Sequence, residues 1–138
     1  MSFRYITPDD LTAIIKSDKV PNKDYVVIDV RDDDWHGGNI KGSHNFPSQT
    51  FLAKVDELVE KTKNVKTVIF HCLLSQMRGP KAARIYSEVR DMMQAEGADN
   101  DHEVLVLQGG FEVFQAKFKD DPELVENFNK EVWTTEYL

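Results

Sequence analysis

Two hydrophobic rhythms alternate along the chain. Three short apolar runs stand out, Tyr25 to Val30, Thr67 to His71 and Glu103 to Leu107. Runs of that length, rich in β-branched and aromatic residues, read as buried strands, and unbroken apolarity suits parallel strands covered on both faces. Between them the spacing changes to three and four residues. Thr7 to Ser17 carries Leu11, Ile14 and Ile15 on one stripe, behind a cap at Thr7, Pro8 at the first helical position and two aspartates near the positive end. Ser48 to Lys63 places Phe51, Leu52, Val55, Leu58 and Val59 on one helical face. Lys81 to Gln94 does so with Ala82, Ile85, Tyr86, Val89 and Met93, and Pro80 suits the first turn.

The remaining segments punctuate these elements. Lys16 to Lys23 is a polar loop, Gly37-Gly38 a turn and Glu96 to Asp101 a polar connection. Asp32 to Asp34 reads as a solvated helix start, because three adjacent carboxylates seldom form a metal site without a return ligand. Asp29 and Arg31 end their strand, where an acid could be catalytic, and His44 could be catalytic too but is expected to pack beside a short strand. After Gly109-Gly110, Phe111, Val113, Phe114 and Phe118 supply the core side of a helix. Asp121 to Asn129 is expected to be a short C-terminal helix, with Val132 to Leu138 as a tail. Strands alternating with helices predict an α/β domain, a mostly parallel central sheet flanked by helices, with ligands at the carboxyl ends of the strands. Parallel strands would bring Gly109-Gly110 to the same sheet edge as the end of the Thr67 run.

Composition narrows the function classes. The 138 residues suffice for one domain, taken as 1–138, and are too few for two ordinary ones. A net charge of −7 argues against nucleic acid and anionic membranes as partners. No apolar run approaches the roughly 18 residues of a membrane span, and the segment before Asp10 has no secretory core. A single cysteine excludes an internal disulfide and a cysteine-rich zinc site. It fits a reducing compartment, so the expected localisation is cytoplasmic or nuclear.

That cysteine, Cys72, follows the central strand directly, and Leu73, Leu74, Ser75, Gln76, Met77 and Arg78 lead from it into Gly79-Pro80 and a helix. A loop in that place can turn its N–H groups toward one point, with the positive end of the helix behind it, and so hold an anion. Arg78 adds a planar guanidinium matched to two phosphate oxygens. The same field favours a thiolate, lowering the pKa from about 8.5 toward roughly 3.5–7.5. A thiolate at the floor of an oxyanion cradle can attack phosphorus in line while Arg78 stabilises the equatorial oxygens. The Ser75 hydroxyl can hydrogen-bond the sulfur as it leaves, or be a turn residue only. His71 can tune the thiol, brace the loop or simply pack.

The stretch His71 to Pro80, HCLLSQMRGP, resembles the active-site loop of the rhodanese-fold dual-specificity phosphatases, whose cell-cycle members activate cyclin-dependent kinases. Val26 to Arg31, Asn39 to Pro47 and Val106 to Gln115 are similar to three further hallmark segments, so the resemblance covers most of Tyr25 to Lys117. The loop and the short chain also resemble the small fungal phosphatases and the related arsenate reductases. The resemblance implies a rhodanese-like three-layer fold, Cys72 and Arg78 as catalytic residues, support from His71 and Ser75, an Asp29–Arg31 pair that orders the sheet end, a phosphorylated protein as partner, and neither metal nor cofactor. Sulfurtransferases of this fold usually have a loop one residue shorter, so sulfur transfer is disfavoured.

One departure matters. In the cell-cycle phosphatases an acidic candidate proton donor precedes the loop arginine, and here that residue is Met77, with Gln76 unable to substitute. Alkoxide departure needs such a donor more than phenolate departure does. Modest activity with a preference for good leaving groups is therefore expected. The helix residues Lys81 and Arg84 can face a phosphorylated partner or only solvent. Three readings follow: a phosphatase, an arsenate reductase completing its cycle with an external thiol, and a non-catalytic binding module. The presence of both Cys72 and Arg78 argues against the last.

Overall fold

The computed structural model describes residues 3–94 and 102–135. Its elements are β1 (Arg4–Ile6), α1 (Pro8–Ile15), β2 (Tyr25–Asp29), β3 (Asn39–Ile40), β4 (His44–Asn45), a 3-10 turn over Ser48–Thr50, α2 (Phe51–Thr62), β5 (Thr67–His71), α3 (Arg78–Met93), β6 (Glu103–Leu107), α4 (Gly110–Phe118), β7 (Val125–Glu126) and α5 (Lys130–Thr135). Five strands form one parallel sheet in the order β1-β6-β5-β2-β4. The expected polar connection Glu96 to Asp101 and the last three residues of the tail lie outside the described residues.

Strand alternation divides the core into two layers. Val26 and Ile28, Val68 and Phe70, and Val104 and Val106 face one side, where they meet Phe51, Val55 and Leu58 of α2 and Ala82 and Tyr86 of α3. Val27, Ile69, Leu105 and Leu107 face the other, against Leu11 of α1 and Phe111 and Phe114 of α4. All five residues of β2 and of β5 are buried, as their unbroken apolar runs predict. A fully buried side chain such as Phe70 contributes about 1.5–3 kcal/mol by leaving water. Because the strands are parallel, their carboxyl ends share one edge, and Cys72 follows the central strand there.

The start of α1 follows capping chemistry. The Thr7 hydroxyl accepts from the Asp10 N–H at 3.1 Å with Pro8 at the first helical position, as expected. Among the described residues no side chain caps α3, which begins at Arg78 and holds Pro80 in its first turn, as expected.

Several expectations are corrected. Asp121–Asn129 is not a helix: it is a turn leading into β7, which pairs antiparallel with β3 through Ile40 and Val125, and the helix comes later, at Lys130–Thr135. Leu52, Met93 and Val113, assigned to buried faces, are 72%, 46% and 40% exposed. Each sits at the margin of its stripe, where the apolar spacing continues past the core. His44 lies in β4 as expected, but its ring is exposed and its Nε2 meets Asn22 Oδ1 at 2.7 Å. Asp32 to Asp34 does not start a helix: it runs into a turn, and the Asp32 and Asp34 carboxylates bind Arg78.

Candidate active site

Cys72 is 3% exposed at the floor of the loop that joins β5 to α3. Its Sγ accepts the Ser75 backbone N–H at 3.1 Å. That bond requires the loop to double back within three residues, and Ser75 does so with φ +55°, in the left-handed region. The Ser75 hydroxyl oxygen accepts the Cys72 N–H at a long 3.4 Å. The sulfur is thus bonded by the backbone of Ser75 and not by its hydroxyl, and Ser75 also makes the turn of the loop. The N–H groups of Leu73, Leu74, Gln76 and Met77 have no protein acceptor among the described residues, so these donors are left to solvent or to a ligand.

Opposite the loop, α4 holds it from below. The Phe111 and Glu112 N–H groups donate to the carbonyls of Cys72 and Leu73, each at 3.0 Å. The first turn of α4 therefore spends its free donors on the loop. Gly110, with φ +62°, makes this approach possible, since a Cβ there would overlap the Leu73 carbonyl and lie 2.7 Å from the Cys72 oxygen.

His71 is fully buried beside Cys72. Its Nδ1 lies 3.1 Å from the Cys72 carbonyl, which only accepts, so Nδ1 carries the hydrogen. Nε2 has no hydrogen-bond partner among the described residues and faces Asp29 Oδ2 at 3.9 Å. Burial lowers the His71 pKa, outweighing the opposing pull of Asp29. Asp29 and Arg31 form a fully buried ion pair, with Arg31 Nη2 2.7 Å from Asp29 Oδ2 and the guanidinium 4.5 Å from the Phe111 ring centre. Arg31 Nη2 also donates to the Gly38 carbonyl at 2.9 Å, so the pair orders the sheet end as expected.

Arg78 is the first residue of α3, and its side chain is 33% exposed. It binds Asp34 through two parallel bonds, Nη1 to Oδ1 at 2.9 Å and Nη2 to Oδ2 at 2.7 Å. Nη1 also reaches Asp32 Oδ2 at 3.2 Å. Asp32 is fixed in turn by the Ser48 hydroxyl and by the Gln49 N–H at 2.9 Å. The hydrogen bonds from Arg78 hold the Asp34 carboxyl down at about 2. Burial works against ionisation of Asp32, but Ser48, Gln49 and Arg78 prevail and its pKa is lowered. The same Asp34 contact raises the Arg78 pKa. These aspartates are the residues missed in the local reading. The available signal was their position just past the end of a strand parallel to the one that carries Cys72.

Lys81 lies one turn beyond Arg78 and, with Ser48, Phe51, Leu52 and Ile85, lines a cleft of about 130 Å³ beside the arginine. Among the described residues no group of three or more His, Cys, Asp or Glu side chains is arranged to hold a metal, and no helix is long and apolar enough to cross a membrane.

Comparison with known proteins agrees with this fold. A family model described as a rhodanese-like domain matches residues 7–117. The dual specificity phosphatase ibp1 of Schizosaccharomyces pombe is 36% identical over 134 residues, covering 88% of this chain and 95% of its own. Arsenate reductase 2.1 of Oryza sativa subsp. japonica is 36% identical over 112 residues, covering 80% of this chain and 66% of its own. Among solved structures, Ygr203w, a yeast protein tyrosine phosphatase of the rhodanese family, superposes with a TM-score of 0.76 at 26% identity, over 96% of this chain and 98% of its own.

Proposed function

The chain belongs to the rhodanese-like domain family, and on that premise we propose that it is a cysteine-dependent protein phosphatase of dual specificity. Its substrates are phosphorylated tyrosine, serine and threonine side chains. The observation that carries this reading is the loop itself: a buried thiol whose sulfur takes one backbone N–H, within a loop whose Leu73, Leu74, Gln76 and Met77 N–H groups have no protein acceptor among the described residues, ahead of a helix headed by arginine. Similarity to phosphatases of matching length supports it.

In this mechanism the Cys72 thiolate attacks phosphorus opposite the leaving oxygen. The S–P bond forms as the P–O bond breaks, and the leaving group departs with the bonding electrons. Loop N–H groups and Arg78 bind the equatorial oxygens, where negative charge must be held. Water then attacks phosphorus, releasing inorganic phosphate and the thiolate. The Ser75 N–H, already directed at Sγ, stabilises the thiolate in both steps. His71 fixes the Cys72 carbonyl and so the path of the loop.

The test is hydrolysis of 4-nitrophenyl phosphate by the purified chain beside Cys72→Ser. Turnover by the parent and none by the variant is expected. A parent chain that is inactive with its thiol reduced would sink the proposal.

A second reading is arsenate reduction, which the similarity to the rice reductase favours. Arsenate would esterify Cys72 with loss of hydroxide. Cys72 is the only cysteine, so an external thiol such as glutathione must supply the second sulfur. The two electrons that take As(V) to As(III) come from the Cys72 and glutathione sulfurs, which are joined as a mixed disulfide, and another external thiol reduces that disulfide and restores Cys72. Glutathione-dependent arsenite release would identify this activity.

A further inference from the structure

The guanidinium of Arg78 is only partly engaged by its aspartates, and the pattern is informative. It carries five N–H hydrogens in a fixed plane. Asp34 takes the inner pair at the Nη1–Nη2 end, and Asp32 takes the outer hydrogen of Nη1. The two hydrogens left over are the one on Nε and the outer one on Nη2. They lie side by side on one edge and form a second fork, suited to two oxygens of a tetrahedral anion. Among the described residues nothing accepts from that edge.

The aspartates are themselves held from outside α3. Asp34 Oδ1 accepts the Asp32 N–H at 2.9 Å, and Asp32 is tied to Ser48 and Gln49 just ahead of α2. Arg78 is thus gripped by the segment that follows β2, which is braced by the segment that enters α2. A free arginine side chain at a helix start would have to be ordered at each turnover, at a cost in rotamer entropy.

We propose, building on the phosphatase reading above, that Asp34, backed by Asp32, is a positioning residue that fixes the plane of Arg78 and reserves its Nε–Nη2 edge for the phosphoryl oxygens. Asp34 does not touch the reacting atoms and is not a proton donor, since its carboxylate is ionised and paired. Its value lies in the transition state, where the equatorial oxygens must meet a guanidinium already in place. The opposing possibility is that two carboxylates beside an anion site compete with phosphate for Arg78 and restrain turnover.

These alternatives move different quantities. The experiment compares Asp34→Asn and Asp32→Asn with the parent on 4-nitrophenyl phosphate, with competitive inhibition by vanadate and by inorganic phosphate, and with circular dichroism to check folding. Exposed Asp33, which makes no contact with Arg78, supplies the control Asp33→Asn. Positioning predicts that Asp34→Asn lowers kcat about 10–100-fold with KM within about threefold. Vanadate, which adopts the trigonal geometry of the transition state, should weaken by a similar factor, while phosphate inhibition stays nearly constant. Asp32→Asn should follow the same pattern more weakly, and it carries the test if Asp34→Asn fails to fold. An unchanged or raised kcat with tighter phosphate binding would overturn the proposal in favour of restraint. Equal loss of vanadate and phosphate binding would overturn it as well. An inactive parent would count against the phosphatase reading itself, separately from these outcomes.

Discussion

The Phe111 N–H donates to the Cys72 carbonyl at 3.0 Å, so the candidate nucleophile is fixed by the helix that follows the next strand. That contact depends on Gly110, whose missing Cβ leaves room for the Leu73 carbonyl and whose φ of +62° disfavours any side chain. Gly110→Ala should therefore shift the loop or unseat α4. The expected outcome is at least a tenfold fall in aryl phosphate turnover and a loss of about 1–3 kcal/mol in urea unfolding. Parent-like activity would mean that the loop does not need this seat.

The Asp29–Arg31 pair is fully buried on both sides, and removing one partner strands the other. Asp29→Ala should cost about 3–5 kcal/mol of stability, measured by chemical denaturation. Replacing both residues with apolar side chains of similar volume should recover much of that loss, since the desolvation penalty goes with the charges. Equal loss in the single and double variants would assign the cost to packing instead.

His71 gives the fold a pH dependence with a definite sign. Its folded pKa is depressed by burial, so the unfolded chain binds the proton more readily. Stability from this group is complete above the unfolded histidine pKa of about 6.5 and declines as pH falls below it. The parent should therefore lose unfolding free energy between pH 7.5 and 5.5, and His71→Asn should flatten that slope. A slope that survives the substitution would place the titrating group elsewhere.

Local reading succeeded where burial is decided locally. β5 is the span expected from its short run rich in β-branched and aromatic residues, which is long enough for a buried strand and too short for a helix. It failed where a distant partner decides. Leu124 and Val125 have helix-like surroundings, yet Val125 pairs with Ile40 across the fold. β1 is three residues long and is defined by its pairing with β6, which a local window does not register. Asp34 and Arg78 lie 44 residues apart, so adjacent carboxylates looked solvated when two of them bind an arginine. Cys72, Arg78 and their loop were legible because strand, loop and helix are contiguous. Gly110 was legible as a turn, while its service to the loop depends on the parallel register of β5 and β6.

Ser75 separates two accounts of the second chemical step. If its hydroxyl stabilised the departing sulfur, Ser75→Ala would accumulate phosphoenzyme and show a burst of phenolate in rapid mixing. In the structure the backbone N–H makes the contact to Sγ, and alanine keeps it. The hydroxyl accepts only a long bond from the Cys72 N–H. Ser75→Ala should stay within about fivefold of the parent, the range set by one weak hydrogen bond of up to about 1 kcal/mol, without a burst. A stoichiometric burst would restore the hydroxyl to the mechanism.

The leaving group tests the remaining gap in the chemistry. The residue before Arg78 is Met77, 80% exposed and unable to donate a proton. The two carboxyls beside Arg78 have lowered pKa values, Asp34 at about 2, so neither is protonated near neutral pH. The leaving oxygen must then depart with much of its negative charge unneutralised, and its own basicity sets the rate. Turnover should fall by at least about tenfold from 4-nitrophenyl phosphate to phenyl phosphate, whose phenolate has a pKa near the tyrosine value of about 10. The kcat profile for 4-nitrophenyl phosphate should show no loss as pH rises through neutrality, because no acid is being removed. A steep fall near pH 7, or equal rates for the two esters, would reveal a proton donor supplied by another part of the chain.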